Sequence, residues 1–218
     1  MEFDLSVYLV TDTDLCSEAG VEHTVEEAVA GGATIVQLRD KLASDEAMIE
    51  LARRLKDALD DHAELTGRYV PLIINDRLNV ALESGADGLH VGQSDTAVRD
   101  AREAMGEEAI IGLSIHNAEQ LTKTPLELLD YVGFGPVFAT QSKADHSAPI
   151  GFEGLAALVE ACPMPGVAIG GVKAEHAEAV KQSGARGMAV VSAICGQPSP
   201  REAAQALAQR WQAAPKAP

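Results

Sequence analysis

Aromatic residues are scarce in this sequence: four Phe, three Tyr and one Trp, or 4% of 218 residues. An aromatic-rich binding module is therefore excluded, and the Ala, Val, Leu and Ile that dominate the 46% hydrophobic content favour layered α/β packing. Cations are scarce as well. Seventeen Lys and Arg stand against 33 Asp and Glu, a formal net charge of −16. Such a surface repels nucleic acid and anionic membranes, so neither is expected as a partner. The three cysteines, Cys16, Cys162 and Cys195, have no metal-ligand spacing and form no even framework. They read as reduced thiols of a cytoplasmic protein. No apolar run approaches the length needed to cross a bilayer, and the opening "MEFDLSVYLVTD" is acidic where a signal peptide would be basic. No Pro/Ser-rich linker divides the chain. The expectation is one domain over residues 1–212 and a flexible tail over 213–218, with a homo-oligomer allowed but not required.

What the sequence does have is alternation. Short β-branched runs recur: "SVYLVTD", "TIVQLRD", "VPLIIND", "DGLHVGQ", "AIIGLSI", "DYVGFGP", "GVAIGG" and "GMAVVSA". Between them lie longer segments of helical periodicity. In Ser44–Leu65, Met48, Leu51, Ala52, Leu55 and Leu59 fall on one helical face, with Arg53, Lys56, Asp57 and Asp60 largely off it. Thr24 with Glu27, Asn117 with Gln120, and Ser199 with Glu202 have the spacing of capping boxes, the last with Pro200 at the first helical position. "GGATIVQL", "SGADGLHV" and "SGARGMAV" share a Gly-Ala pair before an apolar run, as expected where a left-handed glycine ends a helix and a strand follows. Eight such strand–helix units in about 210 residues predict a single (β/α)8 barrel, an α/β TIM barrel. A doubly wound open sheet is the alternative.

In a barrel, chemistry gathers where strands end. Here those ends carry Thr11 and Asp12; Gln37, Arg39 and Lys41; Asn75, Asp76 and Arg77; Gln93 and Asp95; Ser114 and His116; and the stretch "FATQSKADHSAPIG". Arg39, Lys41 and Lys143 are cations. Asp76 and Asp95 are carboxylates on different strands. Because Mg2+ is commonly held by one or two carboxylates plus phosphate oxygens, the combination points to a Mg-pyrophosphate site. Gly170 and Gly171 in unit seven, with Ser192 in unit eight, point to a second anion site. The long sixth loop opens with Thr140, Ser142 and Lys143 and reads as a segment that closes over substrate. His90 reads as structural. His116 could line the rim, or act as a proton carrier if the chemistry needs one.

The ordered set "QLRDK", "IND", "HVGQSD", "GLSIH", "GFGPVFATQSK", "AIGG" and "VVSAI" resembles the thiamine phosphate synthase family over Ser6 to Ile194. The resemblance implies a cytoplasmic, Mg2+-dependent transferase acting on two small molecules. It would join 4-amino-5-hydroxymethyl-2-methylpyrimidine diphosphate to 4-methyl-5-(2-phosphoethyl)thiazole, releasing thiamine phosphate and pyrophosphate. It further implies that Gln37, Arg39, Lys41, Asn75, Ser114 and Lys143 contact the pyrimidine diphosphate, and that Asp76 and Asp95 bind Mg2+. Thr140, Ser142, Gly171, Val191 and Ser192 would contact the thiazole phosphate. Arg39, Lys41, Lys143 and Ser114 would be the catalytic groups, stabilising the departing diphosphate. One departure is visible: Ser142 stands where the family often has Thr, which keeps the hydroxyl and loses a methyl. Other readings stay open on the sequence: a thiazole isomerase using His116, a non-catalytic binder of thiamine phosphate, and, from barrel logic alone, a phosphosugar isomerase.

Overall fold

The computed structural model describes residues 3–16, 19–93, 97–140 and 148–215. Among them eight short strands alternate with helices. The strands are β1 Val7–Val10, β2 Ile35–Leu38, β3 Leu72–Asn75, β4 Gly88–Val91, β5 Ile110–Ile115, β6 Tyr131–Phe134, β7 Gly166–Ile169 and β8 Gly187–Val190. The helices are α1 Val21–Gly31, α2 Asp45–Thr66, α3 Leu78–Ser84, α4 Val98–Met105, α5 Ala118–Lys123, α6 Gly151–Ala161, α7 Ala177–Gln182 and α8 Pro200–Ala213. All strand pairs are parallel, each strand lies beside its sequence neighbour, and β8 returns to β1 through Val7 opposite Met188 and Tyr8 opposite Ala189. The sheet is therefore the closed barrel that the alternation predicts, not the open sheet.

Each strand is buried on both faces, which is why it reads as a continuous apolar run rather than an alternating one. The two faces serve different layers. Leu9, Val36, Leu38, Ile74, Leu89 and Val132 point outward and pack with the helices. Tyr8, Val10, Ile35, Ile73, Tyr131 and Val167 fill the barrel interior. Successive residues of "IVQL" thus diverge: Val36 and Leu38 join the helix layer, while Gln37 faces inward beside Tyr8.

The helix boundaries follow local chemistry. Ser44 accepts from the Ala47 N–H and starts α2, Asn117 accepts from the Gln120 N–H and starts α5, and Ser199 accepts from the Glu202 N–H and starts α8. Two expectations need correction. Thr24 is not a cap: α1 already begins at Val21, and the buried Thr24 hydroxyl donates back to the Gly20 carbonyl inside the helix. Gln120 completes no capping box, because its side chain accepts from the His116 N–H, one residue before the cap. The three Gly-Ala repeats do mark helix ends, each with a glycine at positive φ: Gly32, Gly85 and Gly184. At the other end of the chain, α8 runs through Ala213 and Ala214 is buried. The three cysteines are buried free thiols. Among the described residues no helix is long and apolar enough to cross a membrane.

Helices α1 and α8 close the ring on the outside, as β1 and β8 close it within. Their backbones meet at Gly31, where an added Cβ would lie 2.2 Å from the Arg201 carbonyl oxygen. Neither helix can move off without opening the barrel seam. Gly31→Ala is therefore expected to destabilise the fold by about 1–3 kcal/mol through overpacking. Denaturant unfolding followed by circular dichroism checks this, and an unchanged midpoint would remove the close crossing as a stability determinant.

Candidate active site

The strand ends on one side of the barrel surround a cavity open to solvent, with about 990 Å³ of empty space. Gln37, Arg39, Lys41, Asn75, Asp76, Ser114, Thr140, Gly171, Val191 and Ser192 all line it. The structure thus brings together, from six of the eight strands or the loops that follow them, every expected site residue that it describes. Asp95, Ser142 and Lys143 lie outside the described residues.

The cationic side of the cavity is built by the loop after β2. Arg39 approaches Asp12 of the neighbouring β1 end at 3.7 Å, and Lys41 forms an ion pair with Asp76 at the end of β3. Each cation is thus held near a carboxylate yet lines an open cavity, so an incoming anion can engage it without either cation first being buried unpaired. Asp40 does not grip these cations, although it stands between them. Its carboxylate accepts from the Leu42 and Ala43 N–H groups and the Thr13 hydroxyl, which folds the loop. Partial burial works against the charge, yet those three donors and nearby Arg77 hold the Asp40 carboxyl below its ordinary value. Arg77 fastens the same loop from the next unit, donating to the Asp40 and Ala43 carbonyls at 3.1 and 2.6 Å and to the Asp45 carboxylate at 3.0 Å. Arg77 belongs to the polar ring in the sequence, but its contacts are structural.

Asp76 is the one non-glycine residue with positive φ among the described residues, at 65°. This left-handed turn lets the chain leave β3 sharply, and Asp tolerates it better than most residues because its short side chain can bond locally. The carboxylate is approached by the Asn75 amide at 3.3 Å and by Lys41. A carboxylate at the cavity mouth, next to groups that attract phosphate, is the donor set a hard divalent cation takes when substrate oxygens complete its shell. Among the described residues no group of three or more His, Cys, Asp or Glu could hold a metal by itself. The Asp76 carboxylate fits a metal that arrives with an anionic substrate.

The opposite wall is built from units six to eight. Gly170 and Gly171 take φ of 92° and 66°, and the chain there runs tightly against the sixth loop. A Cβ on Gly170 would lie 2.5 Å from the Pro136 Cβ, and one on Gly171 would lie 2.8 Å from the Phe138 Cβ. Both glycines are therefore demanded twice, by backbone conformation and by space. After β8 the chain turns at once, with the Val191 carbonyl accepting from the Ile194 and Cys195 N–H groups, so Val191 and Ser192 stay at the cavity edge.

Beneath the cavity, the barrel interior contains polar groups that the sequence does not advertise. The Gln37 amide donates to the Tyr8 hydroxyl at 2.7 Å, and Tyr8 meets the Tyr131 hydroxyl at 2.6 Å. Tyr131 meets His90 Nδ1 at 2.9 Å, and His90 Nε2 meets the Ser114 hydroxyl at 2.9 Å. Burial raises the pKa of both tyrosines, which stay protonated at neutral pH. His116 also lines the cavity. Its backbone N–H is held by Gln120, and its Nδ1 donates to the Gly135 carbonyl.

Known proteins resemble this chain in sequence and in architecture. The sequence profile of the thiamine monophosphate synthase family matches residues 7–194. The thiamine-phosphate synthase of Psychrobacter sp. (strain PRwf-1) is 51% identical over 210 residues, covering 94% of this chain and 95% of that protein. The thiamine-phosphate synthase of Azorhizobium caulinodans is also 51% identical, over 205 residues, covering 94% of each. The solved structure of the thiamine phosphate pyrophosphorylase from Pyrococcus furiosus superposes with a TM-score of 0.84 at 33% identity, over 95% of this chain and 96% of that one. On sequence and on architecture alike, the chain belongs to the thiamine monophosphate synthase family.

Proposed function

We propose that this chain joins 4-amino-5-hydroxymethyl-2-methylpyrimidine diphosphate to 4-methyl-5-(2-phosphoethyl)thiazole, forming thiamine phosphate and releasing pyrophosphate. The observation that carries this reading is the division of one cavity into two walls: Arg39 and Lys41 beside Asp76 on one, the glycine and serine loops of units seven and eight on the other. Two anionic groups need two such walls. One is the diphosphate to be expelled; the other is the phosphate that only anchors its substrate.

The reaction breaks the bond between the pyrimidine methylene carbon and a diphosphate oxygen, and the electron pair leaves with the oxygen. The methylene cation so formed is stabilised by the electron-rich aminopyrimidine ring. The thiazole nitrogen then donates its lone pair to the methylene carbon. That nitrogen carries no proton, so no general base is required. Charge stabilisation on the leaving group and exclusion of water are what the protein must supply. Arg39, Lys41 and the Ser114 hydroxyl would bind the diphosphate oxygens, with Lys143 joining them from the sixth loop. Gln37 and Asn75 would orient the pyrimidine. Gly171, Val191, Ser192, Thr140 and Ser142 would hold the thiazole phosphate. Asp76, with Asp95, would hold Mg2+, which when bound neutralises charge on the diphosphate. A thiazole isomerase would need a proton carrier but no diphosphate grip, and the paired cations of the second loop favour the transferase.

The direct test is formation of thiamine phosphate from the two purified substrates with Mg2+. No product at saturating concentrations of both would overturn the reading. Removing the metal with EDTA should abolish turnover, and added Mg2+ should restore it. Lys41→Ala is expected to lower kcat by about 100-fold, with a smaller change in KM, because a group that stabilises leaving-group charge acts mainly in the transition state. Full pyrophosphate release by this variant would dismiss the cationic-wall assignment. Asp76→Asn removes the carboxylate charge but keeps a residue type that accepts left-handed backbone. The Mg2+ concentration for half-maximal turnover should then rise by about tenfold or more, in line with the sensitivity of metal affinity to its surroundings. An unchanged Mg2+ titration would leave Asp76 as Lys41's partner alone.

A further inference from the structure

The interior of a barrel of this kind is usually packed with branched aliphatic side chains. Here a row of polar groups crosses it from β2 to β5 by way of β1, β6 and β4, and space has been made for the row. A Cβ at Gly112 would lie 2.2 Å from Cζ of Tyr131 and 2.5 Å from its hydroxyl, and one at Gly133 would lie 3.4 Å from the His90 ring. The Tyr131 ring is further held edge-on by Phe3 and Tyr8. Tyr8, Tyr131, His90 and Gln37 are 1%, 0%, 6% and 4% exposed, so water does not substitute for these partners.

A chain of hydrogen bonds between groups that each donate and accept has a direction, and one end can set it. The Gln37 amide nitrogen donates to Tyr8. Tyr8 must then send its own proton to Tyr131, the other partner of its hydroxyl among the described residues. Tyr131, accepting from Tyr8, must donate to His90 Nδ1. A neutral His90 that accepts at Nδ1 carries its proton on Nε2, which donates to the Ser114 oxygen. The Ser114 proton is then directed away from His90 and is available to the cavity. A protonated His90 would donate from both nitrogens and leave the Tyr8–Tyr131 pair one proton without an acceptor among the described residues, whereas with the neutral ring every donor of the row has one.

We infer that Tyr8, Tyr131 and His90 are positioning residues: they carry the orientation of the Gln37 amide across the barrel and so make the Ser114 hydroxyl a hydrogen-bond donor to the bound anion. None of the three needs to touch the reacting atoms. With the opposite polarity Ser114 would donate to His90 and turn a lone pair toward the diphosphate, which would repel it. The inference rests on the functional reading given above for the role of Ser114, but the state of His90 can be measured without any substrate.

The test uses the whole protein labelled with 15N at histidine, the His90 signals being assigned by their loss in His90→Asn. In the substrate-free wild type, the shifts should report a neutral ring protonated on Nε2. Tyr131→Phe keeps the ring and removes the link; both polarities then become open, and the His90 shifts should move toward a mixture of tautomers. In steady-state assays, kcat of Tyr131→Phe should fall about tenfold with KM changed much less, the pattern of a donor needed in the transition state. Tyr8→Phe breaks the row one link earlier and serves equally if Tyr131→Phe does not fold. Because the links act in series, the double variant should be no slower than the slower single one. A wild-type His90 protonated on Nδ1, losses that multiply in the double variant, or losses confined to KM would each overturn the relay. A wild type with the expected tautomer but no thiamine phosphate product would instead remove the functional reading and leave the hydrogen-bond direction intact.

Discussion

The pairing of β1 with β8 is the contact from which the rest of the molecule follows. Once Tyr8 lies opposite Ala189, the sheet has no free edge, and every residue whose side chain points inward shares one enclosed space. Closure also places all eight strand ends on a common rim. Residues separated by more than a hundred positions, such as Gln37 and Ser192, then line the same cavity. Without closure, the cations of the second loop and the glycines of the seventh would lie at distant points of an open sheet.

Within that frame the site is a matter of charge management. The protein is strongly acidic, yet two of its few cations, Arg39 and Lys41, are held together at the cavity mouth by Asp12 and Asp76 rather than dispersed. The surrounding negative charge serves solubility; the local arrangement decides binding. Backbone constraint supports the arrangement. Arg77 and Asp40 fold the second loop, while the left-handed turns at Asp76, Gly170 and Gly171 bring the chain sharply around the rim. Rigid loops on a closed barrel let electrostatic groups act without reorganising during the reaction.

Much of this was legible from the order of residues. The eight apolar runs are the eight strands, since a parallel strand buried on both faces leaves a distinctive local pattern. The polar residues that end those runs were recognisable as a rim because a barrel strand can be apolar along its length and polar at its mouth. Where the reading slipped, a local rule competed with another local partner. Thr24 has the spacing of a cap, but Gly20 starts α1 four residues earlier, and the hydroxyl serves the interior of the helix instead. Gln120 has the spacing of a capping-box partner, but the nearby His116 N–H takes its side-chain oxygen first.

The row through the barrel floor marks the limit of the sequence. Tyr8 and Tyr131 each lie in an apolar strand and look like ordinary core residues, and His90 looks like a satisfied interior histidine. Nothing in their spacing links them, since they are contributed by strands one, six and four. Strand positions, the barrel and the polar rim were set by periodicity and end chemistry, which act over a few residues and can be read in order. The contacts of Tyr8 with Tyr131, and of His90 with Ser114, were decided only by closure and register in three dimensions, because those alone determine which inward-facing groups meet.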